Sequence, residues 1–346
     1  MNRVSKYCSF SCTHRFLRRN RCVSLLVSCF GISLLTTTSV SNCIQPAIEK
    51  STPRIYDVTF RVNTRNEASQ GWPYVEQTNW SSIKPPSFRV TNQIDEDLPY
   101  TCKLLPEQTM QWHILLKYKD YQIHFNEISY ASKLDESRAA IIPWPDTWAK
   151  EVAWYLKPSK YIQSEDELFT LLVNKLIDKE KILPHLAAKI LIRHCLQNTT
   201  STGVYAETKN NLTSGIDVTG AKHAFKENVQ GSACDEVCAC VAALRAAGIP
   251  ARSIIGVTSD NIYGDKLISP TYIVWGEYAL PEIGWIPFNP KRMRGTVDNL
   301  PLQEPWQGLG TLPYLNRRIP LAINFNLYDA KNASQEIQIN FRGSPQ

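Results

Sequence analysis

The sequence lacks the motifs that would assign the chain to several large functional classes. It has no glycine-rich phosphate loop, no zinc-protease signature and no nucleic-acid-binding motif, so none of these functions is predicted. All six histidines lie at or before His223, which leaves the last third of the chain without an imidazole. Beyond the N-terminal 43 residues there is no long apolar run, and we expect no transmembrane segment there.

An excess of charge of one sign is also missing from the body of the protein. The chain has 38 basic and 32 acidic residues, a formal net charge of +6. Six of the basic residues and none of the acidic ones lie in residues 1–43, so the remainder is balanced. A balanced surface does not attract nucleic acid or an anionic membrane, and we predict neither as a partner.

Cysteines are few outside the N-terminal region. Half of the ten lie at or before Cys43. The others are Cys102, Cys195, Cys234, Cys238 and Cys240. They are too few and too clustered for a disulfide framework. A metal site on the last three is disfavoured, because Cys240 points about 200° away from Cys238 on a helix and no histidine follows. We therefore predict no metal and no cofactor.

The first 42 residues have the composition of an export signal. A basic stretch ends at Arg21, and the apolar run over 23–35 would span about 20 Å as a helix. Because a bilayer core is ~30 Å thick, a signal peptide is favoured over a membrane span. We expect a periplasmic, cell-envelope or extracellular protein. Lipid attachment at Cys43 is the disfavoured alternative, since Asn42 is a poor residue in front of a lipidated cysteine.

Hydrophobic periodicity predicts strands before the middle of the chain. Residues 55–62 alternate with period two, Phe88–Val90 is a short candidate, and 111–118 has strong strand composition. The Pro143–Asp146 segment breaks the pattern and indicates a domain edge. An N-terminal β-rich domain is therefore predicted over residues 43–145.

Helices come next, and strands return after them. Ser164–Glu167 fits a capping box, and Pro184 suits the first turn of a second helix. A third helix is predicted from about Asp235 to Ala247, with Gly248 in the left-handed stop position. The predicted later strands cover 252–258, 271–280, 284–288, 319–327 and 336–341. Helices grouped before strands favour an α+β domain over residues 146–295, followed by a strand-bearing extension over 296–346.

Three ordered motifs carry a resemblance to a known family. The first motif has two parts: Gly231–Asp235 reads Gly-Ser-Ala-Cys-Asp, and 242–252 reads Ala-Ala-Leu-Arg-Ala-Ala-Gly-Ile-Pro-Ala-Arg. Residues 273–277 read Ile-Val-Trp-Gly-Glu, and 284–290 read Gly-Trp-Ile-Pro-Phe-Asn-Pro. In this order and at this spacing they resemble the transglutaminase-like superfamily, which shares a core with papain-type cysteine proteases.

The resemblance covers about residues 146–292 and implies where an active member keeps its triad. A cysteine opens the central helix, where the helix dipole favours its thiolate. A histidine on the following strand acts as base, and a carboxylate or amide on the next strand orients it. The histidine position is Ile273, which cannot accept a proton. The orienting position is Asn289, which we interpret as a turn residue before Pro290.

The nucleophile position has two alignments. Without a gap it is Ala233, and Asp235 stays in register. A shift by one residue selects Cys234, but this requires a deletion within a short helix, which rotates its upstream part by about 100°. We prefer Ala233. Cys234 then shares a helical stripe with Val237 and Leu244 and is interpreted as a small buried residue.

The sequence therefore predicts a transglutaminase-like protein that is catalytically inactive. It would bind a peptide or protein, or serve as a structural module. The alternative is a divergent cysteine-dependent transglutaminase or peptidase that uses Cys234, with His223 or another base. No partner for His223 is evident from the sequence. Arg245 and Arg252 are expected to make structural ion pairs near the end of the central helix.

Overall fold

The fold is described from a computed structural model. It covers residues 46–64, 74–83, 87–104, 110–114, 120–203, 206–209, 212–258, 262–263, 266–267, 271–325 and 333–343. The predicted signal segment at 1–42 lies outside these residues. The described residues belong to one compact unit. The domain boundaries expected near 145 and 295 stay predictions.

Strands make up most of the regular structure. They are β1 (Ile48–Thr64), β2 (Tyr74–Glu76), β3 (Ser81–Ile83), β4 (Arg89–Thr91), β5 (Tyr100–Leu104), β6 (Met110–Ile114), β7 (Asp120–Leu134), β8 (Ala206–Lys209), β9 (Leu212–Ile216), β10 (Ala251–Thr258), β11 (Ile262–Tyr263), β12 (Lys266–Leu267), β13 (Thr271–Leu280), β14 (Gly284–Phe288), β15 (Arg318–Ile323) and β16 (Ala333–Gly343). The strands predicted over 271–280 and 284–288 are confirmed with the same bounds.

Six of the described helices lie in sequence between β7 and β10, and the seventh follows β14. They are α1 (Glu136–Ala139), α2 (Lys150–Ala153), α3 (Glu167–Leu176), α4 (Pro184–Asn198), α5 (Ala221–Ala224), α6 (Ala233–Ala246) and α7 (Pro290–Met293). Two short 3-10 helices cover Trp154–Leu156 and Leu315–Arg317. Among the described residues no helix is both long enough and apolar enough to span a membrane.

Two larger antiparallel sheets form the framework. One has the strand order β3-β7-β1-β16-β9-β8, with β4 also paired to β7. The other, which we call the core sheet, has the order β14-β13-β10-β15. Strands from the C-terminal part of the chain enter both, since β16 pairs with β1 and β15 pairs with β10. Two small sheets, β2-β6-β5 and β11-β12, complete the described topology.

Helix starts follow from local chemistry, with one correction to the sequence prediction. The α4 helix begins at Pro184, as predicted, because the missing amide costs nothing in the first turn. The capping box expected at Ser164 is wrong. Helix α3 begins at Glu167, and its N-cap is Asp166, whose side chain accepts a hydrogen bond from the Leu168 amide at 3.2 Å. Ser164 is buried instead.

The central helix α6 is buried on all sides. Every residue from Ala233 to Arg245 is buried, and the helix packs against α3, α4 and α5 as well as β10 and β13. It ends as predicted at Gly248, which has a φ of 83°. A left-handed backbone of this kind suits glycine because glycine has no Cβ to clash.

The core sheet separates two hydrophobic clusters, because successive strand residues point to opposite faces. On β13, Val274 and Tyr278 face the larger cluster, the main core, which contains α6. Ile273 and Trp275 belong to a smaller cluster, which we call the second core. The second core consists of Trp80, Tyr155, Ile254, Ile273, Trp275, Ala279, Trp285, Leu312, Leu315 and Ile323.

Candidate functional site

The start of α6 is held by a reciprocal cap. The Asp235 amide donates to Ser232 Oγ at 3.0 Å, and the Ser232 amide donates to Asp235 Oδ2 at 3.2 Å. Ser232 is therefore the N-cap, and Ala233 is the first helical residue. The helix therefore starts two residues before the predicted start at Asp235. The predicted start was late because the sequence pattern did not identify Ser232 as the cap.

Asp235 organises the segment before the helix. It is 1% exposed, and its Oδ1 accepts hydrogen bonds from the amides of Thr219 at 2.7 Å and Gly220 at 2.6 Å. Its Oδ2 lies 3.1 Å from Nδ1 of His223. The structure thus provides His223 with a partner that was not evident from the sequence. The structure brings this histidine to the N-terminal end of α6 and pairs it with a buried carboxylate.

Cys234 lies beside this pair but in an apolar environment. Its side chain belongs to the main core and is 1% exposed. Burial raises the pKa of the Cys234 thiol, and the carboxylates of Asp235 and Asp217 raise it further. A hydrogen bond with Ser232 acts in the opposite direction but is the smallest of these effects. The thiol form is therefore favoured, although the helix dipole at this position favours a thiolate.

Ile273 lies in a different cluster from Ala233 and Cys234. It is 7% exposed and belongs to the second core, whereas the two helix residues belong to the main core. Its partner on β10 is Gly256. A Cβ on that glycine would lie 2.9 Å from the Trp275 ring, so the face around Ile273 is tightly packed. This position packs apolar side chains and has no group that titrates.

Asn289 follows β14 and directly precedes α7. Its amide donates to the Gly308 carbonyl at 2.8 Å, and its own carbonyl accepts from the Arg292 amide at 3.0 Å. Its side chain makes no helix cap, and Oδ1 is buried without a hydrogen-bond partner among the described residues. The backbone bonds fit the predicted role in a turn before Pro290.

The motif residues that remain form a buried polar cluster. Arg252 and Glu277 are both 0% exposed, and they pair through Nη2 and Oε2 at 2.7 Å. The Arg252 guanidinium lies 3.9 Å from the centre of the Trp285 ring, and Trp275 Nε1 donates to Glu277 Oε1 at 3.3 Å. The predicted structural ion pair of Arg252 is confirmed, and it joins β10 to β13.

The ion pair predicted for Arg245 is wrong. In the described part of the chain this side chain donates to the carbonyls of Ala251 at 2.8 Å and Lys157 and to Asn324 Oδ1 at 3.1 Å, with no carboxylate partner. Burial lowers the pKa of Arg245 to about 10. Hydrogen bonds to carbonyls satisfy the buried guanidinium in place of a countercharge.

Another buried titratable cluster was not identified from the sequence. His185 on α4 is 0% exposed, and it contacts Glu136 through Nε2 and Tyr278 Oη through Nδ1 at 2.8 Å. Lys189 Nζ lies 3.5 Å from Glu136 Oε2 and donates to the Glu304 carbonyl at 2.6 Å. These bonds connect α1, α4 and β13 to the C-terminal part. No group of three ligating side chains fit for a metal occurs in the described ranges.

Comparison with known proteins identifies a family model and solved structures that are similar to this chain. Residues 187–290 match the family model described as the transglutaminase-like superfamily. A crystal structure of a candidate cysteine protease from Cytophaga hutchinsonii superposes with a TM-score of 0.53 at 15% identity. The alignment covers 86% of this chain and 94% of that one. No curated protein matches.

A second crystal structure is more distant. It is a candidate protease from Parabacteroides distasonis ATCC 8503, with a TM-score of 0.24, 10% identity, and coverage of 66% of this chain and 62% of that one. The family match and the first structure confirm the predicted resemblance and the α+β fold with a transglutaminase-like core.

Proposed function

We propose that this transglutaminase-like protein catalyses neither acyl transfer nor peptide cleavage and acts as a structural or protein-binding module. One observation carries the proposal. Ile273 stands at the position that the resemblance assigns to the catalytic base, and it is packed in the second core. An alkyl side chain cannot accept the proton of a nucleophile or return it to a leaving group.

The nucleophile position supports the same conclusion. Ala233 has no reactive atom, and the neighbouring Cys234 is 1% exposed with a raised thiol pKa. In a serine protease, loss of the nucleophile or of the base lowers the rate by about a million-fold, which corresponds to about 8 kcal/mol of barrier. Either loss alone would remove useful turnover.

Side chains from distant parts of the chain cover the face of the core sheet that bears Ile273. This favours a role as a structural or protein-binding module. Trp80 from the N-terminal part, together with Leu312 and Leu315 from the C-terminal part, packs in the second core. The chain therefore fills this face with its own side chains. We expect a peptide or protein partner to use the outer surface instead, where Trp154 and Leu171 remain 62% and 59% exposed.

A second candidate function rests on the position of His223. This histidine and Asp235 form a pair at the start of the helix that carries Cys234, and a histidine held by a carboxylate is a common base for a thiol. A divergent cysteine enzyme would therefore use Cys234 with His223. The burial and raised pKa of the thiol favour the noncatalytic proposal over this one.

Activity measurements on matched variants distinguish the noncatalytic proposal from the divergent cysteine enzyme. Incorporation of a labelled amine into casein and cleavage of a mixed peptide pool should stay at the level of buffer for the parent and for Cys234→Ala and His223→Ala. Cys238→Ala is the control, because Cys238 lies one turn further along α6 and is equally buried. Turnover that Cys234→Ala abolishes and Cys238→Ala preserves would establish the divergent enzyme instead.

A further inference from the structure

A polar cavity of about 350 Å³ lies on the sheet that contains β1, β4 and β7. Its polar lining includes the side chains of Asp57, Thr59, Ser87, Arg89, His124 and Asn126. Val58 and Phe125, which neighbour some of these residues along the strands, are 1% and 2% exposed and belong to the main core. Because successive strand residues point to opposite faces, the polar cavity lies on the face that is turned away from that core.

Strand pairing arranges the lining of the polar cavity in rows. Thr59 on β1 lies opposite His124 on β7, and His124 lies opposite Arg89 on β4. In the adjacent row Asp57 on β1 lies opposite Asn126 on β7. Side chains that lie opposite each other on paired strands are about 5 Å apart. One small ligand could therefore contact several of these side chains at once.

Hydrogen-bonding groups in both rows remain available to a ligand. The side-chain amide of Asn126 makes no hydrogen bond to the described residues, although its backbone amide donates to Ser87 Oγ at 2.9 Å. His124 Nδ1 lies 3.1 Å from Thr59 Oγ1, and Nε2 has no partner within the described ranges. Burial and, to a smaller extent, the Arg89 guanidinium lower the pKa of His124, so its ring is neutral at pH 7. Both groups can exchange hydrogen bonds with a hydroxyl.

The charges around the polar cavity oppose both anions and cations. Arg89 donates to Asp97 Oδ1 from Nε at 3.1 Å and from Nη2 at 2.9 Å, and Nη2 lies 3.7 Å from Asp95 Oδ1. An anion such as phosphate would meet the carboxylates of Asp57 and Asp95 in the cavity, and a cation would meet Arg89. This arrangement favours a ligand without net charge.

We propose that the polar cavity binds a neutral saccharide. Sugar hydroxyls both donate and accept hydrogen bonds, and neighbouring hydroxyls of one ring can pair with the two polar atoms at the end of Asp57 or of Asn126. A peptide is disfavoured, because Val58 and Phe125, the apolar lining residues that the structure describes, are turned into the main core and offer its side chains no contact.

Size and composition set limits on this ligand. The volume lies at the lower end of the range for small-molecule sites, which suits one or two sugar rings. Among the described lining residues there is no exposed phenyl, phenol or indole ring for a sugar to stack on, so we expect binding in the millimolar range. The proposal is independent of the proposed function, since these residues precede the region 187–290 that matches the family model.

Saturation-transfer difference NMR tests the proposal on the full-length protein. Maltose, cellobiose, lactose and trehalose are added separately, and we expect transfer to at least one of them. Asn126→Ala should raise the dissociation constant of that sugar about tenfold, because it removes two hydrogen bonds. Gln122→Ala is the matched control. Gln122 also has an amide side chain and lies on the same face of β7, but it is not part of the cavity lining.

Several results would overturn the proposal. Absence of transfer to all four sugars would do so, and so would equal dissociation constants for the parent and Asn126→Ala. Equal weakening by Asn126→Ala and Gln122→Ala would place the sugar outside the polar cavity. Transfer to trialanine instead of the sugars, weakened by Asn126→Ala, would identify a peptide site. If Asn126→Ala does not fold, Asn126→Asp keeps the side-chain shape, removes the amide donor and should likewise weaken sugar binding.

Discussion

Replacement of Arg252 by methionine is expected to lower the free energy of unfolding by about 3–5 kcal/mol, because it leaves a buried carboxylate without its countercharge. Glu277 is 0% exposed and pairs with Arg252 at 2.7 Å. The substitution also removes the hydrogen bond from Arg252 to Asn79 Oδ1 at 3.0 Å and the contact with Trp285. Urea denaturation followed by tryptophan fluorescence measures the change.

Two further variants show whether the effect comes from the buried charge. The double variant Arg252→Met with Glu277→Leu should be more stable than Arg252→Met, since no unpaired charge remains. Lys181→Ala breaks an ion pair with Asp178 in which the lysine is 80% exposed. Because solvent screens such a pair, its loss should cost less than about 1 kcal/mol. A change of under 1 kcal/mol in Arg252→Met would refute this account of the cluster.

Glu127→Gln is expected to remove a pH dependence of stability between pH 5 and pH 8. Glu127 lies on β7 between Tyr56 and Ile83 of the neighbouring strands and is 0% exposed. Burial raises its pKa from an ordinary 4.5 to about 8, against the hydrogen bond that Ser129 Oγ donates at 2.6 Å. The folded protein then holds a proton that the unfolded chain releases above pH 4.5.

The sign of the effect follows from this difference in bound protons. Stability falls as pH rises wherever the folded state binds more protons than the unfolded state. Across the window the parent should lose on the order of 4 kcal/mol through Glu127, at about 1.4 kcal/mol per pH unit. Burial lowers the pKa of His124 and of His194, which contribute with the opposite sign in parent and variant alike.

Denaturation at several pH values, compared between parent and variants, isolates the Glu127 contribution. The difference in stability between Glu127→Gln and the parent should increase steadily from pH 5 to pH 8. Glu165→Gln makes the same chemical change at an exposed position and should follow the parent at every pH. Parallel curves for the parent and Glu127→Gln would mean that Glu127 is ionised in the folded protein.

Much of the core sheet could be predicted because its signals are local. The strands 271–280 and 284–288 and the stop at Gly248 depend on alternation and on a single backbone conformation. Competition between nearby polar side chains for the N-cap position explains the error at the start of α3. Asp166 caps α3 in place of Ser164, since it directly precedes the first helical residue and its carboxylate reaches an amide of the first turn.

The environment of the candidate site depends on contacts between residues distant in sequence. The pairing of His223 with Asp235 requires the turn at Thr219 and Gly220 to be anchored on the same carboxylate. No sequence period encodes such a turn. Ile273 packs in the same cluster as Trp80, which lies nearly two hundred residues earlier in the sequence, and Leu312, which lies about forty residues later. The residues at the positions that the resemblance assigns to the triad, by contrast, could be read directly from the motifs.

The reactivity of Cys234 tests the noncatalytic account most directly, because it requires no choice of substrate. The reduced, folded protein is treated with iodoacetamide at pH 7, and the modification of each cysteine is followed by mass spectrometry. We predict that Cys234 reacts at least about 100-fold more slowly than in the urea-unfolded chain, since labelling needs local opening. Labelling of Cys234 in the folded protein that is faster than that of the half-buried Cys102 would reveal an activated thiolate and contradict the account.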